Sequence, residues 1–240
     1  FALDGNNVTV DEFLINASTG ALVQVTGASY SFQSLTPLAR SLKVSPNGEY
    51  VFVALGTAGE LVYTLDTTTG ALTSSQQLGP LSSTTSDNAL AVSPDSAYLY
   101  IARSGTNGGL GVYTIGANGA LNPVAGSPFT TGTQPYSVAV NKAGTDVYVA
   151  NRGDGTISGF SVATSGTLTA LSGSPYTSGT GVTALATDSS GDYLLAAANG
   201  GSPDLTMYSF DTTTVGKLNL VTTTATGTDP TGPVAVAATH

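Results

Sequence analysis

Apolar residues along this chain come in runs of three to seven, too short for helices and too regularly punctuated for loops. One stretch shows the grammar. Residues 136–140 (Tyr-Ser-Val-Ala-Val) are mostly apolar, and Asn141-Lys142-Ala143-Gly144 interrupts them. Residues 147–150 (Val-Tyr-Val-Ala) follow, then the polar loop Asn151-Arg152-Gly153-Asp154-Gly155, then further strand patterns at 156–162 and 168–171. The first turn recurs as Ser45-Pro46-Asn47-Gly48, Ser93-Pro94-Asp95-Ser96 and Asp188-Ser189-Ser190-Gly191. Proline presets φ at the first corner, and Gly or Asn tolerates the positive φ that follows. First strands such as 41–44 and 89–92 are apolar at most positions, as a strand packed on both faces must be.

Two markers show that this grammar repeats. Gly-Ala-Leu or a near relative begins at Gly20, Gly70, Gly119, Gly166 and Gly216, at intervals of 50, 49, 47 and 50. The interval through the C-terminus and round to Gly20 is 44, so the five sum to the full 240 residues. An aromatic precedes each marker: Phe13, Tyr63, Tyr113, Phe160 and Tyr208. Four short strands per 44–50 residues is the pattern of a β-propeller blade. One blade cannot bury its faces alone, so stacking supplies the core and the aromatics anchor one blade on the next. The predicted fold is all-β: a five-bladed β-propeller of four-stranded antiparallel blades, a single domain. Its blades are residues 233–240 with 1–33, then 34–84, 85–132, 133–179 and 180–232. Residues 233–237 align with the first strand at 137–141, and Phe1-Ala2-Leu3 with the second strand at 147–149. The ring is therefore expected to close through a blade shared between the N- and C-termini, which removes two pairing edges.

Composition narrows the function. Gly and Pro supply 41 of 240 residues, and Lys and Arg only 6. The net charge of −9 and the scatter of the bases argue against nucleic acid, which needs clustered cations. No apolar run approaches the ~18 residues of a membrane span. There is no Cys, hence no disulfide framework or thiolate ligand. The first residues lack a basic, apolar leader, and the reading is a mature periplasmic or extracellular chain. A monomer that presents one ring face to a small-molecule, glycan or protein ligand is expected, with no cofactor and no metal.

Candidate chemistry is sparse. The one His, His240, is expected to be an exposed or strand-capping terminal residue. Residues 105–111 are glycine-rich but join two strands, so they form a loop and not a dinucleotide fingerprint. Asp154 suits a hairpin turn, with a Ca²⁺ ligand as the other reading. The sequons at Asn7 and Asn16 are common by chance in a Ser/Thr-rich chain. Residues that begin inner strands near the channel mouth remain: Arg40, Asp87, Asn88, Gln134 and Tyr136. Arg40 heads this set, because a guanidinium there grips a carboxylate or phosphate with two parallel hydrogen bonds.

Residues 134–140 and 146–151, and Ser93-Pro94-Asp95 followed by 98–102, resemble the YVTN-type propeller repeat. The whole chain resembles the phosphogluconolactonase-like lactonase family, whose blades carry a Ser-Pro-Asp-Gly turn, a Tyr-Val strand and a Gly-Ala-Leu corner. A Gly-Pro-led last strand also matches at Gly232-Pro233. That family is usually seven-bladed, and its mouth uses Arg and His in a Gly-Pro-Arg-His stretch. Here Leu38-Ala39-Arg40-Ser41 retains the Arg as Arg40 and replaces the His by Ser41. The other equivalents of Arg40 are Asn88, Tyr136, Val182 and Gly232. Lactone hydrolysis needs a base or a metal to activate water. The expected function is thus a ligand- or protein-binding module without retained catalysis. The alternative is a lactonase-like hydrolase or isomerase acting on a sugar-acid lactone, with Arg40 orienting substrate and Asp87 as base.

Overall fold

The computed structural model describes residues 1–4, 9–31, 39–225 and 235–237, and in it twenty strands build five antiparallel sheets in chain order. The first sheet holds β1 (Ala2–Asp4), β2 (Thr9–Ile15) and β3 (Leu22–Ser31); the second holds β4 (Ser41–Val44), β5 (Tyr50–Ala54), β6 (Glu60–Leu65) and β7 (Leu72–Leu78). The third comprises β8 (Ser86–Val92), β9 (Tyr98–Ser104), β10 (Gly109–Ile115) and β11 (Leu121–Pro123). The fourth comprises β12 (Pro135–Val140), β13 (Asp146–Asn151), β14 (Thr156–Val162) and β15 (Leu168–Ala170), with the short β16 (Tyr176–Thr177) also on β14. The fifth is β17 (Val182–Thr187), β18 (Tyr193–Ala198), β19 (Leu205–Phe210) and β20 (Leu218–Thr224). Each sheet is a meander of neighbours, the architecture of propeller blades.

The expected first turns close these hairpins by side-chain capping. Ser45 Oγ accepts a hydrogen bond from the Tyr50 N–H at 2.9 Å, and Ser93 Oγ does the same for Tyr98 at 2.9 Å. Asn141 Oδ1 and Asp188 Oδ1 take the same part for the N–H groups of Asp146 and Tyr193. Residues 105–108 are the hairpin loop between β9 and β10, whereas Gly109-Leu110-Gly111, expected in that loop, already belong to β10.

Period-two alternation sends each strand's side chains to two walls. In the third sheet, Leu90, Leu99, Ile101, Tyr113 and Leu121 pack on the second sheet, while Ala91, Tyr100, Ala102, Leu110 and Val112 pack on the fourth. Cores of the same kind join the first sheet to the second and the fourth to the fifth. A serine stitches neighbouring inner strands together: Ser41 Oγ accepts from the Leu90 N–H at 3.4 Å, and Ser137 Oγ from the Leu185 N–H at 3.1 Å.

The expected closing strand at 233–237 lies largely outside the described residues, as do Gly232, His240 and Asn7. Of that stretch, residues 235–237 are described and take no strand. Ala235 and Val236 line a cavity at one end of the inner strands, and Val236 and Ala237 line another at the opposite end.

Candidate functional site

Three inner strands carry a β-bulge near their first residue. Asp87 faces Arg103 and Ala89 faces Ala102, which leaves Asn88 outside the ladder. Tyr136 is skipped in β12 and Thr183 in β17 in the same way. In the second sheet the Arg40 N–H donates to the Ala54 carbonyl at 2.8 Å while Ser41 also sits opposite Ala54, so two residues again oppose one. A bulge re-aims the side chain of its extra residue. Arg40, Asn88, Tyr136 and Thr183 consequently line one cavity of about 410 Å³, together with Ala235 and Val236.

The four side chains differ in what they offer. Arg40 is exposed, and no described residue bonds its guanidinium. Thr183 is 7% exposed, and its hydroxyl has no partner among the described residues. Tyr136 is half-buried, with the guanidinium of Arg152 5.5 Å from the centre of its ring, a cation–π contact. Asn88 is committed: its Nδ2 donates to Ser104 Oγ at 3.0 Å and to the Pro135 carbonyl at 2.8 Å, and its Oδ1 accepts from Ser86 at 3.0 Å. It clamps the third sheet to the fourth. Among the described residues the cavity thus combines one unpaired cation, one unpartnered hydroxyl and one phenol, a set suited to a small oxyanion with hydroxyl groups.

Asp87 does not reach this cavity. It is 0% exposed, and its Oδ1 accepts from Arg103 Nε at 2.7 Å. Arg103 Nη2 donates to Glu60 Oε1 at 3.0 Å and Nη1 to the Tyr113 hydroxyl at 2.7 Å, with the guanidinium 5.2 Å from the Tyr113 ring. Gly111 makes room for it, since a Cβ there would stand 2.7 Å from Nη1. Burial pushes the Glu60 carboxyl well above its ordinary range, helped by hydrogen bonding to Asp87 and against the attraction of Arg103. Burial works against the Arg103 charge too, but Glu60 and Asp87 outweigh it and hold the guanidinium above its usual value. The two oxygens left without a donor are Glu60 Oε2 and Asp87 Oδ2.

Gln134 also separates from the mouth. Its φ is +55°, and the reversal there turns it into a different cavity, of about 310 Å³, which it shares with Arg103 and the loops around Gly105 and Gly132. Asp154 accepts from the Thr133 N–H at 2.5 Å and from the Thr133 hydroxyl, and these bonds hold its carboxyl below the usual range. No group of three or more His, Asp or Glu side chains is gathered among the described residues. No helix among them is long and apolar enough to cross a membrane.

Sequence reasoning missed Thr183, Arg152 and the Glu60–Arg103 pair. Thr183 takes the place assigned to Val182, because the bulge shifts the register by one. Glu60 was legible in principle: it occupies the position that is Leu110, Ile157 and Leu205 in later sheets, a lone acid in an aliphatic series.

A family model described as lactonase, 7-bladed beta-propeller, matches residues 9–182 and 127–236. Among solved structures, a periplasmic gluconolactonase of Pseudomonas aeruginosa is 20% identical over 90% of this chain and 64% of its own, with a TM-score of 0.68. A protein from Lactobacillus plantarum is 20% identical over 97% and 69%, with a TM-score of 0.74. A Bacteroides fragilis protein provisionally assigned as a 6-phosphogluconolactonase is 21% identical over 93% and 66%, with a TM-score of 0.75. The chain spans about two thirds of the length of these structures. No curated protein matches it.

Proposed function

Because this chain belongs to the lactonase family of β-propellers, we propose that its mouth cavity binds a small polyhydroxylated oxyanion, such as a sugar acid or its lactone, and binds it without hydrolysing it. The observation that carries this reading is the pairing of an open Arg40 guanidinium with the unpartnered Thr183 hydroxyl in one cavity. Arg40 supplies two parallel donors to a carboxylate, and Thr183 and Tyr136 answer ligand hydroxyls. Hydrolysis near neutral pH needs a group to take a proton from water. Among the described lining residues none is Asp, Glu or His. Asp87 is sealed behind Arg103.

Lactone hydrolysis is the second reading, favoured by the family itself and by the name of the Pseudomonas neighbour. In that case Arg40 orients the lactone carbonyl. An extracytoplasmic setting accompanies either reading, supported by that periplasmic neighbour and by the low-charge, Ser/Thr/Gly-rich composition.

Titration calorimetry with gluconate, alongside a pH-stat assay with glucono-δ-lactone, tests both readings. Saturable gluconate binding that weakens about 10- to 100-fold in Arg40→Ala, the loss of a charged hydrogen bond, with no turnover, is the expected result. Lactone turnover that disappears in Arg40→Ala establishes the second reading. Neither binding nor turnover refutes both.

A further inference from the structure

The capped turns fix which residues correspond between sheets. The fifth residue after the capping side chain opens the second strand, and it is Tyr50 after Ser45, Tyr98 after Ser93 and Tyr193 after Asp188. After Asn141 it is Asp146. Tyr50 and Tyr98 each lie on the corner glycine of the next sheet. A Cβ on Gly119 would stand 3.0 Å from Tyr50 Cδ1, and one on Gly166 would stand 2.5 Å from Tyr98 Cε1. The Tyr98 hydroxyl goes on to donate to the Thr164 carbonyl at 2.7 Å. Asp146 takes the same direction, since a Cβ on Gly216 would stand 2.5 Å from its Oδ1. A carboxyl ends where a phenol ring continues, so the fourth sheet leaves unfilled a space that its predecessors fill.

A cavity of about 380 Å³ occupies that place, lined by Asp146, Phe210, Val215 and Gly216 together with Lys142 and Asp211. It lies at the opposite end of β12 and β13 from the mouth. Phe210 corresponds to Ile115 and Val162, because its N–H donates to the Asp192 carbonyl as theirs do to Ala97 and Thr145. Its larger ring tilts against Tyr148, with centroids 5.6 Å apart, and forms one apolar wall of the space. Val215, 73% exposed, forms another. The polar groups are mixed. Asp146 Oδ2 accepts from Asn141 Nδ2 at 2.7 Å and from the Thr145 hydroxyl at 2.8 Å, while Oδ1 has no partner among the described residues. Burial raises this carboxyl above its ordinary range against the pull of those two bonds. Lys142 Nζ donates to the Ser189 and Ser190 carbonyls at 3.0 and 3.4 Å, which leaves its third N–H over. Asp211 is held below the usual range by its hydrogen bonds and stays charged.

We infer that this cavity between the fourth and fifth sheets is a second binding site, and that it takes a small uncharged aromatic molecule carrying a hydroxyl group. The ligand ring stands in for the one that Tyr50 and Tyr98 supply between earlier sheets, with Phe210 and Val215 as its apolar contacts. A hydroxyl is the polar group that fits. It accepts from Lys142 and donates to a carboxylate, whereas a charged substituent of either sign meets a like charge at Lys142 or Asp211. The inference is independent of what the mouth binds.

The probe is p-cresol, the tyrosine side chain as a free molecule, with toluene as its counterpart lacking the hydroxyl. Both are titrated into the 240-residue chain and followed by the NMR shifts of backbone amides. Saturable p-cresol binding is expected, with shifts confined to residues 141–146, 190–191 and 210–216 and none at Arg40, Asn88 or Tyr136. Toluene should bind about tenfold more weakly, the loss of one hydrogen bond. Asp146→Tyr restores the residue of the other sheets and should abolish the shifts. No saturation up to about 10 mM p-cresol overturns the proposal. So do shifts centred on the mouth, a reading that needs no variant to fold. Binding that survives in a folded Asp146→Tyr protein also overturns it. Equal affinity for toluene overturns the assignment of a hydroxyl ligand. Tighter binding of N-acetyltyrosinamide than of p-cresol overturns the small-molecule assignment in favour of a tyrosine from another polypeptide.

Discussion

Replacing Arg103 by methionine removes the one cation from a site with two buried acids. The guanidinium donates to Asp87 at 2.7 Å, to Glu60 at 3.0 Å and to Tyr113 at 2.7 Å, and it is 1% exposed. Methionine fills much of the volume, so the loss is electrostatic rather than a cavity. Two carboxyls then remain buried without the cation that pairs them, and the Tyr113 hydroxyl loses its donor. Breaking a buried ion pair in this way costs about 3–5 kcal/mol, a large part of the 5–15 kcal/mol by which a domain is ordinarily stable. Urea unfolding followed by circular dichroism measures the change, since the chain has no Trp. The other sheets show how the cost can be removed. They place Ala39, Pro135 and Val182 where Asp87 stands, and Leu55, Asn151 and Ala198 where Arg103 stands. A triple variant, Glu60→Leu with Asp87→Ala and Arg103→Leu, should therefore return to within about 1.5 kcal/mol of the wild type. A loss below about 1 kcal/mol in Arg103→Met refutes the reasoning, and so does a triple variant no more stable than the single one.

Three further outcomes follow from the same geometry. Because the folded state holds a proton on Glu60 that the unfolded chain releases near its ordinary value of 4.5, this group's contribution is fully present below that pH and is lost as pH rises through the elevated folded value. Glu60→Gln should flatten that alkaline decline. The surface acids Asp66, Asp95 and Asp211, each lowered by hydrogen bonds, contribute with the opposite sign and weaken the fold as pH falls; comparing the two proteins across pH isolates Glu60. Phe160→Ala should cost about 3–5 kcal/mol in urea, and Phe13→Ala, half-buried on the first sheet, clearly less. Gly166→Ala combines a φ of +79° with a Cβ 2.5 Å from Tyr98, whereas Gly20→Ala meets the positive φ alone and should cost about 1–2 kcal/mol. Equal losses at the two glycines would contradict the packing described for Gly166.

Strands were legible because two periods coincide in this sequence. Alternation marks both walls of each strand, and the turn residues fix where it stops, so Ser41–Val44 and Thr156–Val162 fall where the pattern puts them. That Arg40, Asn88 and Tyr136 line one cavity was legible because they share a repeat position. A bulge is different. It is a mismatch between two strands and leaves no mark on either alone, so Thr183 was passed over for Val182. Gln134 departed because its backbone turns left-handed, which a run of polar residues does not announce. Asp87 looked like a mouth acid because its partners, Arg103 and Glu60, come from β9 and β6, away from it in sequence.

The bulges bear on how such a molecule changes over generations. A side chain outside the ladder can be exchanged without disturbing strand register or the walls between sheets. Drift at Arg40, Tyr136 or Thr183 therefore alters what the cavity presents while strand register is kept. Asn88 is the exception: its amide also ties two sheets together, so a change there reaches the integrity of the scaffold as well as the cavity wall.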